Sequence, residues 1–204
     1  VDPDNGNPLW YMDEVDANDN PTGKRVTTSD YASANYYYVN KSSLPKVYGG
    51  FTTSLSWKGF DLSAIFAYSI GGYIYNRDIT MILHNGSLEG RDWSTEILRR
   101  WTPENRYTDV PALSTTSNNW NSASTRFLQN NSYMRLKNLT LSYNLPKQLI
   151  SKLALSSVQV FVQGDNLFTI HRNQGLDPEQ GITGITYYRY PAMRTISGGI
   201  NLSF

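Results

Sequence analysis

Apolar and polar residues alternate one by one in several stretches of the chain. The last ten residues, Thr195-Ile-Ser-Gly-Gly-Ile-Asn-Leu-Ser-Phe204, put Ile196, Ile200, Leu202 and Phe204 on one parity and Thr195, Ser197, Asn201 and Ser203 on the other. A period of two marks a strand with one apolar and one polar face. Residues 133–145 repeat the pattern, with Leu139, Leu141, Tyr143 and Leu145 opposite Thr140, Ser142 and Asn144. Val158, Val160 and Val162 alternate with Gln159 and Gln163. Residues 49–70 predict a hairpin turning at Lys58-Gly59, where Gly supplies a positive φ. That turn sets Trp57 against Phe60, Leu55 against Leu62, Thr53 against Ala64 and Phe51 against Phe66. The other face then pairs Ser56 with Asp61 and Ser54 with Ser63. One turn position thus gives both strands a consistent pair of faces.

The segments between these strands differ in length. Residues 71–131 read as a long irregular excursion rich in Asn, Ser, Thr and Tyr, with one helix predicted over Ser94-Thr-Glu-Ile-Leu-Arg-Arg-Trp101. Ser94 is its N-cap, and Thr102-Pro103 stops it. Residues 146–153 predict one or two helical turns, and residues 171–191 a second long polar loop. Residues 1–46 read as loop-rich, punctuated by Pro, Asn, Asp, Gly and Ser, with short extended pieces at 9–12 and 36–39. Tight and long connections alternate. All the tight ones can therefore lie at one rim of a barrel and all the long ones at the other, the arrangement of outer-membrane barrels.

Composition narrows the picture. A net charge of +1 with 17% charged residues lacks the basic surface of a nucleic-acid binder. The absence of cysteine rules out disulfides and thiolate metal sites. Fifteen Tyr and five Trp suit the aromatic girdles of a membrane barrel, and also sugar-binding surfaces. No apolar run approaches the roughly 18 residues of a membrane helix. The mean hydropathy of −0.47 says little about a barrel, because half of each strand is polar. The first residues, Val1-Asp-Pro-Asp-Asn-Gly-Asn-Pro8, lack the Met, basic region and apolar run of a signal peptide, so the chain is expected to begin within a longer polypeptide.

Several segments together resemble the C-terminal part of SusC/RagA-type TonB-dependent outer-membrane transporters. They are Trp57-Lys-Gly-Phe-Asp-Leu-Ser63, Arg100-Trp-Thr-Pro-Glu-Asn105 with Thr108-Asp-Val-Pro111, Tyr133-Met-Arg-Leu-Lys-Asn-Leu-Thr-Leu-Ser-Tyr143, Leu145-Pro146, Gly164-Asp-Asn-Leu-Phe-Thr169, Gly175-Leu-Asp-Pro-Glu179 and Ile200-Asn-Leu-Ser-Phe204. They fall in family order and cover nearly all of residues 46–204. The terminal octet, with Gly199, Leu202 and Phe204, also resembles the signal read by the barrel assembly machinery. The resemblance implies an all-β fold: about five C-terminal strands of a transmembrane antiparallel β-barrel, with long extracellular loops and one short helix. Residues 1–46 would precede the barrel hairpin and 47–204 would form the barrel portion, with 71–131 as its long loop. The whole barrel would have about 22 strands around a plug. It would sit in the outer membrane of a Gram-negative bacterium, among membrane lipid. It would import nutrients, oligosaccharides or peptides, with a SusD-type lipoprotein partner. The TonB complex would engage an N-terminal region outside this chain, and the rest of the same transporter chain would supply the plug and remaining strands.

Trp57, Leu62, Phe66, Val158, Val160, Val162 and Ile200, with Leu202 and Phe204, are expected to face lipid. Ser54, Asp61, Gln159, Gln163, Ser197 and Asn201 are expected to face the lumen. The stretch Asp13-Glu-Val-Asp-Ala-Asn-Asp-Asn-Pro21 departs from a calcium loop. Counted from Asp16, Pro21 and Thr27 stand where Gly and Glu are wanted. It reads as a polar loop, and no metal or cofactor is expected. His84 and His171, the two histidines, lack metal-ligand spacing and are expected in exposed loops. Asp92 and Glu96 read as helix-start carboxylates rather than a catalytic pair. The Asn-x-Ser/Thr sites at Asn85, Asn138 and Asn201 read as coincidence. Trp93, Trp101, Trp120, Tyr187, Tyr188 and Tyr190 have two readings, stacking on sugars or packing the loops. No enzyme motif is present. The rival reading is a soluble carbohydrate-binding β-sandwich, which alternating strands alone would permit.

Overall fold

A computed structural model describes the chain except residues 87, 88, 152–154, 174, 176, 180, 182 and 187. The described residues divide into two compact units. One comprises residues 1–40 and 76–128, the other residues 41–75 and 129–204.

The second unit is built on a five-stranded antiparallel sheet. Its strands are β3 (Val47–Trp57), β4 (Phe60–Ile70), β7 (Tyr133–Asn144), β8 (Ser157–His171) and β9 (Thr195–Ser203), side by side in that order. The β3–β4 hairpin turns at Lys58-Gly59, both residues with positive φ (46° and 88°), as the right-handed twist of a two-residue hairpin requires. All six predicted cross-strand pairs occur, from Trp57 opposite Phe60 to Phe51 opposite Phe66. Between β7 and β8 the described residues include a helical turn, α2 (Lys147–Ile150), within the 146–153 stretch predicted to be helical; residues 152–153 of that stretch lie outside the described residues. Strand β8 runs much farther than the Val–Gln alternation indicates. Asn166, at φ 51°, interrupts the regular backbone, so periodicity fades while pairing resumes beyond it.

The first unit departs from expectation. Residues 1–46 are not simply loop. Strands β1 (Trp10–Val15) and β2 (Pro21–Thr28) form an antiparallel hairpin. Thr22, Lys24 and Arg25 give β2 no apolar parity, and most of that strand is exposed. Residues 9–12 do enter a strand, whereas 36–39 do not. The acidic stretch is the hairpin's turn. One carboxylate oxygen of Asp16 accepts the amides of Asn18 and Asn20 at 2.8 and 3.0 Å, so it caps its own loop.

The excursion is ordered rather than irregular. Short strands β5 (Tyr73–Tyr75) and β6 (Leu128–Asn130) lie at its two ends. It holds an α-helix, α1 (Arg77–Ile82), that carries no helical stripe long enough to read. The predicted helix at 94–101 is a 3-10 turn, Thr95–Arg99. Ser94 caps it as expected, and the chain leaves it at Arg100, φ −55° and ψ 158°. Val110, Phe127, Ile97, Leu83 and Trp120 form the unit's core. Ser, Thr and Asn side chains hold the intervening backbone by bonding amides two residues on, as at Ser94, Thr108, Ser114 and Asn118. Residues 1–9 belong to this core. Ala112 donates to the Gly6 carbonyl at 2.9 Å, and Trp101 Nε1 to that of Pro3 at 3.1 Å.

Gly6 is a checkable point in this unit. Its φ is +74°, and a Cβ there would stand 2.6 Å from the Trp101 ring. Gly90 has a similar φ, +70°, with open space around it. Gly90→Ala should cost about 1–2 kcal/mol for the left-handed backbone alone. Gly6→Ala should cost a further ~1–3 kcal/mol by overpacking. Differential protease resistance of the purified full-length protein measures the gap, and equal losses would refute the contact.

Candidate functional site

Because partners across a ladder share a face, register sorts the five-stranded sheet into two surfaces. One row across it is Trp57, Phe60, Tyr143, Val160 and Ile200, and the next is Leu55, Leu62, Leu141, Val162 and Gly198. Above them come Phe51, Phe66, Leu136 and Phe168, then Gly49, Tyr68, Met134 and Ile170. This surface is apolar and largely open: Trp57 is 63% exposed, Val162 56% and Ile200 63%. Leu62, Val160 and Leu202 are exposed with them, as is Phe204 just past β9. Phe66 is half-buried and stacks on Phe51 at 4.7 Å. Val158, opposite Leu202, is buried on β8, the strand against which α2 packs.

The opposite surface is a hydrogen-bonded polar sheet. Asp61 accepts from Ser56 and from Asn144, the latter at 2.7 Å. Gln159 bonds Ser142, Asn144 and Asn201, so one polar chain from Ser56 to Asn201 crosses all five strands. Asp165 accepts from Asn138 at 2.8 Å and from Gln163. Ser54 and Ser197 lie on this surface too, in one row with Ser63, Thr140 and Gln163. A strand whose two faces differ this sharply has two different environments to satisfy.

The alternation on β7 carries one break. Opposite Ile65 stands Asn138 but opposite Phe66 stands Leu136, so Lys137 is an extra residue, a β-bulge. The break swaps parity. Below it the odd residues Leu139, Leu141 and Tyr143 are on the apolar face; above it the even residues Met134 and Leu136 are. Arg135 would otherwise follow Leu139 onto the apolar surface. Instead it pairs with Ala67 and Thr169 on the polar side.

There Arg135 is almost fully buried, and its guanidinium engages three partners. Nε donates to Thr169 Oγ1 at 2.8 Å, one terminal nitrogen to Glu179 at 2.8 Å and the other to Asp177. Lys137 reaches Glu179 at 2.6 Å. Asp177 also accepts the amides of Glu179 and Ala192, at 2.9 and 2.6 Å. Burial works to raise the Asp177 carboxyl, but these two amides and the guanidinium outweigh it and hold it below its ordinary value. Two points of the loop after β8 are thus strapped to the sheet. A cleft of about 300 Å³ opens beside the strap, lined by Arg135, Phe168, Thr169, His171, Pro191 and Arg194, among others.

Sequence reading did not assign a role to this cluster, although both motifs that build it were in view. The available signal was Arg and Lys two apart in an apolar strand, with Asp and Glu two apart in a following loop. The two histidines part company. His171 is exposed at the end of β8, its Nδ1 2.9 Å from the Asn173 carbonyl. His84 is fully buried, contrary to expectation, because the excursion that holds it is a packed unit. Burial lowers its pKa, partly offset by a hydrogen bond with the Arg91 backbone. Of the aromatics, Trp120 is buried under the Arg126 guanidinium and Trp101 is tied to Pro3, whereas Tyr188 and Tyr190 are exposed. Trp93 stands edge-on to His84 at 5.4 Å, and Tyr187 lies outside the described residues. Glu96 is ion-paired with Arg99 at 3.2 Å, while Asp92 is exposed. Asn85 is buried, and Asn138 and Asn201 bond within the sheet.

Removing the guanidinium should release the loop. Arg135→Met leaves the Asp177 charge buried without its counter-ion, a loss of about 3–5 kcal/mol. The amides of Glu179 and Ala192 should then exchange faster, while Arg135→Met with Asp177→Asn recovers part of the protection. Because the folded Asp177 pKa is depressed, the strap is intact above the ordinary carboxylate value near 3.9 and fails as pH falls through the lower folded value. Loop protection in the wild type should therefore be flat from pH 7 to about pH 5 and drop only below about pH 4.

No family model matches the chain. Individual proteins do. It is 33% identical over 166 residues, 76% of its length, to TonB-dependent receptor P3 of Formosa agariphila. It is 30% identical over 204 residues, 98% of its length, to TonB-dependent receptor SusC of Bacteroides thetaiotaomicron. The chain spans 16% and 18% of those relatives. Among solved structures, that of the RagAB peptide transporter superposes on all of the chain with a TM-score of 0.84 at 35% identity, 22% of the transporter chain being covered. The names are those of receptors and a transporter, not of enzymes. With its alternating strands, its two-faced sheet and these relatives along most of its length, the chain belongs to the SusC/RagA-type TonB-dependent receptors, of which it forms one segment.

Proposed function

We propose that this segment is the C-terminal portion of the wall of an outer-membrane transporter that imports nutrients by coupling to TonB. The observation that carries the reading is the five-stranded sheet itself, with a largely exposed apolar surface on one side and a hydrogen-bonded polar surface on the other. Lipid suits the first surface and a water-filled, plugged lumen the second. The strands that complete the barrel, and the plug, would come from the rest of the same polypeptide. Five strands fall short of the roughly eight needed for closure, and β3 and β9 each offer an edge to pair. The long loops would lie outside the cell and the Lys58-Gly59 turn on the periplasmic side. The cargo would be peptides or oligosaccharides, taken up with a SusD-type lipoprotein. A soluble sugar-binding sandwich would need a second layer over the apolar surface, and among the described residues that surface is largely open.

The reading predicts opposite outcomes for neighbouring residues. Val162→Arg puts a charge on the lipid face, at a cost of about 2–4 kcal/mol at mid-membrane. Gln163→Arg, one residue on, points into the lumen. In the full-length receptor, Val162→Arg should sharply lower the heat-modifiable protein recovered from outer membranes while Gln163→Arg leaves it near wild type. Equal recovery of the two would sink the assignment. Mass spectrometry of molecules co-purifying with the receptor would then separate peptide cargo from glycan cargo.

A further inference from the structure

The polar surface carries a large aromatic where a polar residue would be expected. Phe161, half-buried on β8, stands in the row Ser56, Asp61, Ser142, Phe161, and its direct partner on β9 is Gly199. A Cβ built on Gly199 would lie 2.9 Å from two carbons of the Phe161 ring, closer than side chains pack. The ring therefore lies over the bare backbone of the last strand. An aromatic facing a glycine across a ladder covers backbone that would otherwise be open, and it gains contact that no larger partner would leave room for. Gly198 differs. A Cβ there points to the other surface, 3.9 Å from Val162, and meets the Phe161 carbonyl rather than the ring. The two adjacent glycines are thus not equivalent.

We propose that Phe161 and Gly199 form a key that fixes the register of β9 on β8. Sliding β9 by one residue would carry Ile200 and Leu202 to the polar side, an error that the two solvents already penalise. Sliding it by two preserves the faces, so hydrophobicity cannot detect the slip. It would, however, bring Ser197 or Asn201 opposite Phe161 and drive a Cβ into the ring. The key thus discriminates the one error that the apolar–polar pattern leaves open. It acts on the strand whose outer edge remains available for closing a barrel. Gly199 accordingly has a folding role inside the wall, separate from any recognition of the chain terminus by assembly machinery.

The inference rests on the barrel reading above, and the two can be tested apart. The full-length receptor is expressed in its host as wild type, Gly199→Ala, Phe161→Ala, the double variant and Gly198→Ala. Heat-modifiable protein in outer membranes is then measured. If the wild type itself is not heat-modifiable and membrane-embedded, the barrel reading fails, and the key with it. With that established, Gly199→Ala should lower folded protein about fivefold or more, as overpacking of this kind does. The double variant should return to the level of Phe161→Ala, and Gly198→Ala should fall less than Gly199→Ala. Register is read by cysteine pairs in the Phe161→Ala background. Gln159→Cys with Asn201→Cys reports the native register, and Gln159→Cys with Ser203→Cys the two-residue slip. The slipped crosslink should appear there and be absent when Phe161 is present. If Gly199→Ala is as harmful without the ring as with it, or if removing the ring produces no slipped crosslink, the key is overturned.

Discussion

A strand has two faces and a period of two, and the sheet-forming unit of this chain follows from holding those faces apart. Apolar side chains are collected on one surface of five strands, and a hydrogen-bonded polar layer on the other. A single residue more or less in any strand would reverse everything beyond it. The chain uses that sensitivity once, at Lys137. The extra residue there turns Arg135 from the apolar side to the polar side, where two carboxylates and a threonine hydroxyl receive it. The break in pattern and the buried ion cluster are one feature. A guanidinium on the apolar surface would be intolerable in lipid, and on the polar side without partners it would be buried at a cost of several kcal/mol.

Strapping the loop after β8 extends the order of the sheet beyond its last pairing. Asp177 is met by two backbone amides as well as by Arg135, so the loop is held by its own main chain and not only by side chains. The cleft beside it is bounded by strand residues such as Thr169 and loop residues such as Pro191. Any ligand entering there would meet a surface whose shape is already set, which lowers the ordering cost of binding.

How much of this the sequence disclosed depended on whether an element repeats. The β3–β4 hairpin was legible pair by pair, because Trp57, Leu55 and Phe51 alternate with Ser56 and Ser54 without interruption. β9 was legible for the same reason. The far half of β8 was not, since Asn166 breaks the rhythm that Val158, Val160 and Val162 establish. Helix α1 and the packed excursion were illegible because their order is made by local side-chain bonds to the backbone and by scattered core residues such as Val110 and Phe127, which have no period. Of the candidate site, the residues of the apolar and of the polar surface could be sorted in advance by parity. The Arg135 cluster could not, because its members lie some forty residues apart and the strand's parity misdirects the reader at the decisive position.

The excursion between β4 and β7 begins and ends at nearly the same place. Gly72 accepts from Asn131 at 2.8 Å, and Asn76 donates to Phe127 at 2.8 Å. For the chain as it folds, this shortens the distance that matters. Pairing β4 with β7 would otherwise mean closing a loop of some sixty residues, an entropic charge that grows with the logarithm of its length and slows the search for non-local partners. With its two stems hydrogen-bonded together, the insertion holds the two strand ends side by side. The same geometry localises change: in a segment that enters and leaves through one doorway, exposed loop tips can be lengthened or trimmed over generations while the sheet on either side keeps its register.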